Sequence, residues 1–188
     1  FQTHSLKGFG VDDLPLGLTA AGAIIHYLKD TEHPNLQHIT SLQRINRDDF
    51  LWMDRFTIRN LELVHGQAEN THTLLHVLDN TVSPMGARLL KRWIIFPLND
   101  MQKINERLDT VELLVKDTDF RNKISQHIKQ CGDMERLVSK IPMKKINPRE
   151  VLQLARGLQQ VDALKPLCGG SASDYLKRLG DALNPCPY

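Results

Sequence analysis

Two positions along this chain carry a short polar residue followed at once by proline, and they constrain the fold more than any other feature. At Ser83-Pro84 and Asn147-Pro148, the polar side chain can cap a helix, and proline is tolerated next because the first helical N–H needs no intrahelical partner. Behind each pair, apolar residues recur at intervals of three and four, which is the period of one helix face. The sequence therefore predicts a helix after each pair, the second being the longest in the chain. The apolar positions are Met85, Leu89 and Trp93 in the first helix, and Val151, Leu154, Leu158 and Val161 in the second.

The same helical spacing predicts helices through most of the remaining chain. A first helix is predicted over residues 19–30, with Thr19 as its N-cap. Each apolar stripe is expected to pack against another, and short loops favour antiparallel neighbours. The predicted fold is mostly α, an antiparallel helical bundle, with Trp52, Trp93 and Phe120 in its core. The further stripes are Ile104, Leu108, Val111 and Val115; Phe120, Ile124, Ile128 and Cys131; Met134, Leu137, Val138 and Ile141; and Leu176, Leu179 and Leu183.

Residues 39–53 depart from the helical pattern. Two short apolar stretches there flank polar residues at 46–49, whose side chains favour a turn. This segment is the one place where the sequence predicts a small β-hairpin. Asp54 follows as the N-cap of a short helix through Leu63, although the β-branched residues at 57–58 are also compatible with a strand.

Composition limits the class of protein. Lysine and arginine number 24 against 22 aspartates and glutamates, so the global charge does not indicate a nucleic-acid or membrane surface. The three cysteines, Cys131, Cys168 and Cys186, lack CxxC spacing and favour a reducing, cytoplasmic compartment. No apolar run reaches the roughly 20 residues of a membrane span. Because the chain opens on Phe1 instead of methionine, we expect it to be part of a longer polypeptide.

No catalytic motif is found in the sequence. It contains no GxxxxGK[ST] phosphate loop, no GxSxG nucleophile turn and no HExxH helix. Glu106 and Asp109 lie at helical spacing but alternate with Lys103, Arg107 and Lys116, which is typical of a solvated helix face. We therefore predict no catalytic residue, no metal site and no bound cofactor in this chain, while a small hydrolase using such carboxylates remains an alternative.

Two histidines form the strongest candidate for a metal site. His72 and His76 are four residues apart and would share one face of a helix. Two ligands are too few, and no third ligand lies nearby in the sequence. The sequence favours two ordinary histidines.

A basic stretch surrounds Pro142. Side chains of this kind can contact phosphate groups of a nucleic acid. No aromatic stacking pattern accompanies them, so a solvated surface is the simpler interpretation. The candidate phosphate contacts are Lys140, Lys144, Lys145 and Arg149.

Three stretches together resemble the MutS-type DNA mismatch repair proteins. The first is DRFTIRNLEL at 54–63, and the second is TLLHVLDNTVSPMGARLLKRW at 73–93, continued by RLDTVE at 107–112. The third joins GDMERL at 132–137 with NPRE at 147–150. Their order and spacing resemble the first part of the core domain of that family, often called the lever domain. The resemblance implies that residues 1–18 end a connector and that 19–188 form the core domain, incomplete at its C-terminal end and without clamp, ATPase or mismatch-reading domains.

The resemblance also implies a function for the parent protein. Proteins of this family are dimers that clamp duplex DNA, detect mispairs with an N-terminal domain, use ATP and Mg²⁺ in a C-terminal ATPase and recruit MutL. The core domain joins these parts mechanically. Two alternatives remain: the core of a MutS paralogue acting in recombination, and a helical adaptor unrelated to DNA.

Residues that match the motifs are interpreted as capping and ion-pair positions that set helix geometry. Their role could be confined to folding. The motif positions are Asp54, Arg59, Glu62, Asp79, Pro84, Gly86, Arg88, Trp93, Asp109, Glu135 and Pro148.

Overall fold

The computed structural model describes residues 11, 13–31, 36, 39, 42, 49–66 and 71–186. This part of the chain is mostly α-helical, as the sequence predicts, and none of its helices is long and apolar enough to cross a bilayer. The helices are α1 (Pro15–Asp30), α2 (Arg55–Asn60), α3 (Leu74–Leu78), α4 (Pro84–Ile95), α5 (Met101–Lys116), α6 (Thr118–Cys131), α7 (Met134–Lys140), α8 (Pro148–Gly169) and α9 (Asp174–Ala182).

Both cap-and-proline pairs begin helices, as predicted. The Ser83 hydroxyl accepts a hydrogen bond from the Gly86 amide at 3.1 Å. The Asn147 side chain accepts one from the Glu150 amide at 2.9 Å, and the Glu150 carboxylate accepts one from the Asn147 amide at 3.1 Å. This reciprocal capping box satisfies two backbone donors at the start of α8, which at 22 residues is the longest helix in the described part of the chain.

Two helix boundaries differ from the prediction. Helix α1 begins at Pro15 instead of after Thr19, and the Thr19 hydroxyl donates to the Pro15 carbonyl at 2.9 Å from within the helix. Helix α2 begins behind Asp54, whose carboxylate accepts from the Thr57 amide at 2.6 Å. It ends earlier than predicted, because Glu62 adopts a left-handed backbone conformation with φ of 49°.

The predicted β-hairpin over residues 39–53 is not supported. Residues 43–48 lie outside the described part of the chain, and within that part no strand is formed. Phe50 makes an isolated antiparallel bridge to Leu98, in which the Leu51 amide donates to the Pro97 carbonyl at 2.9 Å. The apolar residues that suggested a hairpin strand therefore pair with the segment after α4. There the Trp52 ring lies edge-on to Phe96, with centroids 5.4 Å apart.

The core lies where α6 packs across α8. Cys131 at the end of α6 meets Gly157, where an added Cβ would lie 2.8 Å from the Cys131 carbonyl oxygen. Four residues earlier in α6, the His127 ring shares a 2.8 Å hydrogen bond with Gln160. Because a lower number on one helix meets a higher number on the other, α6 and α8 run antiparallel. The buried cluster is Cys131, Val161 and Leu164, with Met85, Ile124, Ile128, Met134 and Leu183 packed against it.

Helix α9 folds back on α8 in the same manner. An added Cβ at Gly180 would lie 2.9 Å from the Cys168 Cβ, so only glycine allows this separation between the two helices. Lys165 donates to the Leu183 carbonyl at 2.9 Å. Helix α5 lies beside α9, where the hydroxyls of Thr110 and Ser173 are 2.8 Å apart. Helices α6, α8 and α9 thus form the most closely packed part of the described chain.

Several apolar residues expected in the core are exposed. Trp93 is 38% exposed, and its ring is covered on one face by the Arg107 guanidinium at 3.7 Å from the centroid. Trp52 and Leu89 are about half exposed. Helical spacing gives the apolar face of a helix, but the partner that covers this face is not encoded in the spacing. The prediction that Trp52 and Trp93 lie in the core is therefore wrong.

Candidate functional site

An ion-paired junction between α4 and α7 brings motif residues together from distant parts of the chain. Arg88 of α4 donates two hydrogen bonds to Asp133, with Nη2 at 2.6 Å from Oδ1 and Nη1 at 3.0 Å from Oδ2. Its Nε and Nη2 also donate to Glu135 Oε2 at 2.9 and 2.6 Å. One guanidinium therefore holds both carboxylates at the start of α7. We call these three residues the Arg88 junction.

The position of Asp133 in the Arg88 junction is fixed by local structure. Gly132 ends α6 with φ of 67°, a conformation that favours glycine. Asp133 then caps α7 by accepting a 3.3 Å hydrogen bond from the Arg136 amide. The chain thus turns sharply between α6 and α7 and presents the carboxylate towards α4.

The electrostatics of the Arg88 junction favour its ionised form. The hydrogen bonds from Arg88 hold the pKa of Asp133 below its usual range. Asp133 first and Glu135 second raise the pKa of Arg88 above its ordinary value. Side chains this accessible contribute modestly to the free energy of folding, but a forked, bidentate pair fixes the direction of the contact. The arrangement fixes the position of α4 relative to α7 and leaves no group placed for acid–base chemistry.

Other motif positions shape turns and helix ends. The Asp79 carboxylate accepts hydrogen bonds from the amide and hydroxyl of Thr81, at 3.1 and 2.6 Å, which lower its pKa. This turn leads into Ser83 and Pro84. At Gly86 an added Cβ would approach the Ser83 hydroxyl oxygen to 3.2 Å. A larger residue there would crowd the cap of α4.

The end of α2 is joined to the start of α3 by backbone hydrogen bonds. The Leu74 amide donates to the Glu62 carbonyl at 3.1 Å, and the Leu75 amide donates to the Leu63 carbonyl at 2.9 Å. Arg59 precedes this connection and is exposed. The left-handed backbone at Glu62 directs its carbonyl to α3, which is the structural role of this motif position.

The basic stretch is divided by an ion pair. The ammonium of Lys140 binds the Glu150 carboxylate, and this hydrogen bond is the main reason that the pKa of Glu150 is lowered. Lys140 therefore connects α7 to the start of α8. Lys144, Lys145 and Arg149 are exposed, and none forms an ion pair within the part of the chain that the structure describes.

The remaining candidate groups do not form a chemical site. The rings of His72 and His76 lie with centroids 5.0 Å apart, and no set of three or more metal-ligating side chains occurs among the described residues. Glu106 binds Arg178 at 2.6 Å, while Asp109 lies exposed on the same helix. The two carboxylates therefore have different environments and share no partner.

Comparison with known proteins decides the family of this chain. The family model described as MutS domain III matches residues 56–184, a span that includes the Arg88 junction and all of α8. The chain belongs to the MutS domain III family. As a MutS domain III chain, it is 48% identical along its whole length to the DNA mismatch repair protein MutS of Cytophaga hutchinsonii.

Further relatives of this MutS domain III chain carry the same name. It is 49% identical over 99% of its length to the DNA mismatch repair protein MutS of Christiangramia forsetii, and 47% identical over 99% to that of Bacteroides fragilis. The chain spans only about a fifth of these relatives, 22% of the Cytophaga protein and 21% of the Christiangramia protein. Properties of the whole relatives therefore belong to a larger molecule than the one described.

Proposed function

We propose that this chain is the core, or lever, domain of a MutS-type mismatch repair protein and that it links the binding of mismatched DNA to the binding and hydrolysis of ATP. Membership of the MutS domain III family carries the proposal. We call the longer molecule the parent protein. In it, residues 1–18 would end the connector and 19–188 would belong to the core, with α1 spanning the junction.

The chain itself would have no catalytic role under this proposal. ATP and Mg²⁺ would bind in the ATPase of the parent protein, and mispairs would be read by its N-terminal domain. The partners would be the other domains of the same chain, a second MutS subunit, MutL and, through the parent protein, duplex DNA in the cytoplasm. A MutS paralogue acting in recombination would have a similar core, and no contact within this chain distinguishes the two.

Helix α8 has the geometry that a transmitting element needs. Its 22 residues make a rod of about 33 Å. Lys140 of α7 pairs with Glu150 near its start, Cys131 of α6 meets Gly157 in its middle, and α9 packs on its end. A displacement of α8 would therefore move three other helices, since closely packed helices shift together.

The proposal predicts that the stiffness of α8 matters for coupling in the parent protein. Ala155 and Gln159 are exposed on α8, whereas Gln160 bonds to His127 and is unsuitable for substitution. Glycine at both exposed sites should cost about 1 kcal/mol per site through backbone entropy without opening a cavity. The double variant should weaken the acceleration of nucleotide exchange by mispaired duplex and leave ATP affinity without DNA nearly unchanged, because coupling is a free energy separate from either binding step.

The matched control is Gln159→Ala with Ala155 retained. It removes the same side chain but keeps a strong helix former, so its mismatch-dependent exchange should equal that of the unmodified parent protein. If the glycine variant has a lower thermal midpoint but a mismatch effect of normal size, α8 is only a structural support and the lever role is refuted.

A further inference from the structure

Helix α5 carries a regular apolar stripe on its surface. Met101, Ile104, Leu108, Val111 and Val115 follow one another at intervals of three, four, three and four residues. This is the spacing of the a and d positions of a heptad, by which one helix packs along another. We call these five residues the α5 stripe.

The described part of the chain leaves most of the α5 stripe uncovered. Met101 is 70% exposed, Leu108 58%, Val111 55% and Val115 63%, while Ile104 is partly buried. The sequence pattern predicts that this face is packed, so its exposure is a correction to that prediction. Large apolar patches on folded proteins mark interaction surfaces, because exposing them to water is unfavourable.

The opposite side of α5 already has its partner. The Thr110 hydroxyl lies 2.8 Å from that of Ser173, and Glu106 binds Arg178 at 2.6 Å. Successive helical residues are rotated by about 100°, which places Glu106 and Thr110 across the helix from Leu108 and Val111. Helix α5 therefore packs on α9 with its polar side and presents its apolar side outwards.

We infer that the α5 stripe is the docking surface for an amphipathic α-helix of the parent protein that lies outside these 188 residues. The inference rests on the proposal that a parent protein exists, and the relatives supply its basis because this chain spans only 21–22% of their length. The heptad spacing selects a helix as the occupant, since a strand or an irregular segment does not match a 3.5-residue repeat.

The charges beside the α5 stripe indicate an apolar partner. Arg107 lies over the Trp93 ring, and Glu112 is paired with Lys116. These neighbours are already engaged within the chain, so no row of unmatched charge selects an acidic or basic ligand. A single 16-residue helix face is also smaller than the roughly 800 Å² per partner of stable complexes between separate molecules. Tethering in one chain raises the effective concentration and makes so small a contact sufficient.

Site-specific photocrosslinking in the purified, full-length parent protein tests this inference. Benzoylphenylalanine is placed at Val111, at Leu108 in a second variant, and at Gln102 as the control. Gln102 is exposed on the same helix but points away from the stripe. After irradiation, mass spectrometry identifies the joined peptides. We expect Val111 and Leu108 to crosslink within one subunit to the same helical segment outside residues 1–188, and this product to be lost at Gln102.

Each other outcome overturns the inference. These outcomes are crosslinks between two subunits, crosslinks confined to residues 1–188, equal yields at Gln102 and Val111, or no product from either stripe position. The measurement requires neither DNA nor nucleotide, so its failure is separate from failure of the lever proposal. Normal loss of exchange coupling in the α8 glycine variant, together with no stripe crosslink, would reject the docking helix alone.

Discussion

The part of the structure from residue 11 to 100, here the first half, and the part from 101 to 186, the second half, are held together differently. In the first half, the described residues are joined mainly by caps, turns and the bridge between Phe50 and Leu98. In the second half, glycines allow α6, α8 and α9 to approach closely around apolar side chains. Local hydrogen bonds set where helices begin, but only the second half shows the burial that stabilises a folded domain. The buried residues of the second half are Thr110, Cys131, Leu137, Gly157, Val161, Leu164, Cys168, Ser171, Leu176 and Gly180.

The largest expected difference between the halves comes from removing a leucine side chain. Leu164 is buried in the cluster with Cys131 and Val161, so Leu164→Ala should lower the free energy of unfolding by about 3 kcal/mol through lost burial and a cavity. Leu16 is 85% exposed on α1, and Leu16→Ala should change it by less than about 0.5 kcal/mol. Urea denaturation of the 188-residue chain measures both. Similar losses would show that the halves are equally packed.

Two helical glycines sharpen the comparison. An added Cβ at Gly157 would lie 2.8 Å from both the Cys131 carbonyl oxygen and the Met134 sulfur, whereas one at Gly22 would meet nothing within 4 Å. We expect Gly157→Ala to destabilise the chain by about 1–2 kcal/mol through overpacking. Gly22→Ala should stabilise it by about 0.5–1 kcal/mol, because alanine favours helices. Thermal unfolding decides the sign of each change, and stabilisation by both would contradict the close packing of α6 on α8.

The smallest effect is expected at the Arg88 junction, which lies between the halves. The pKa of Asp133 is lowered in the folded state, so its stabilising contribution is complete above the ordinary carboxyl pKa of about 4. This contribution is lost as the pH falls through the lowered value. Arg88→Gln should reduce the thermal midpoint near neutral pH and flatten its decline in acid. Arg92→Gln, on the same exposed helix surface, is the matched control and should keep the normal pH profile.

Sequence patterns predicted helix starts better than contacts. Ser83, Asn147 and Asp54 act through amides only three residues away, so their effect is encoded locally. The hairpin prediction failed because strand pairing depends on the partner, and Phe50 bridges to Leu98, 48 positions away. The same limitation explains Trp93, since no local pattern tells whether an apolar helix face is covered.

The Arg88 junction was only partly foreseen. The motifs marked Arg88 and Glu135 as ion-pair positions, but they did not show that the two would meet, or that Asp133 would be the bidentate partner. Gly157 was missed although its signal is visible, because an interior glycine weakens a helix and is usually retained for close packing. Lys140 was interpreted as a phosphate contact, whereas Glu150 three residues after the α8 cap engages it.

Hydrogen exchange along the 188-residue chain tests the central claim most directly, which is that α8 is the rigid element of the domain. Amides exchange when their hydrogen bonds open, so protection reports the local free energy of opening. We expect the slowest exchange between Gly157 and Leu164, where α6 packs on α8, and much faster exchange in α1, which has no fully buried residue. Exchange in the centre of α8 as fast as in α1 would contradict a rigid α8 and the lever role built on it.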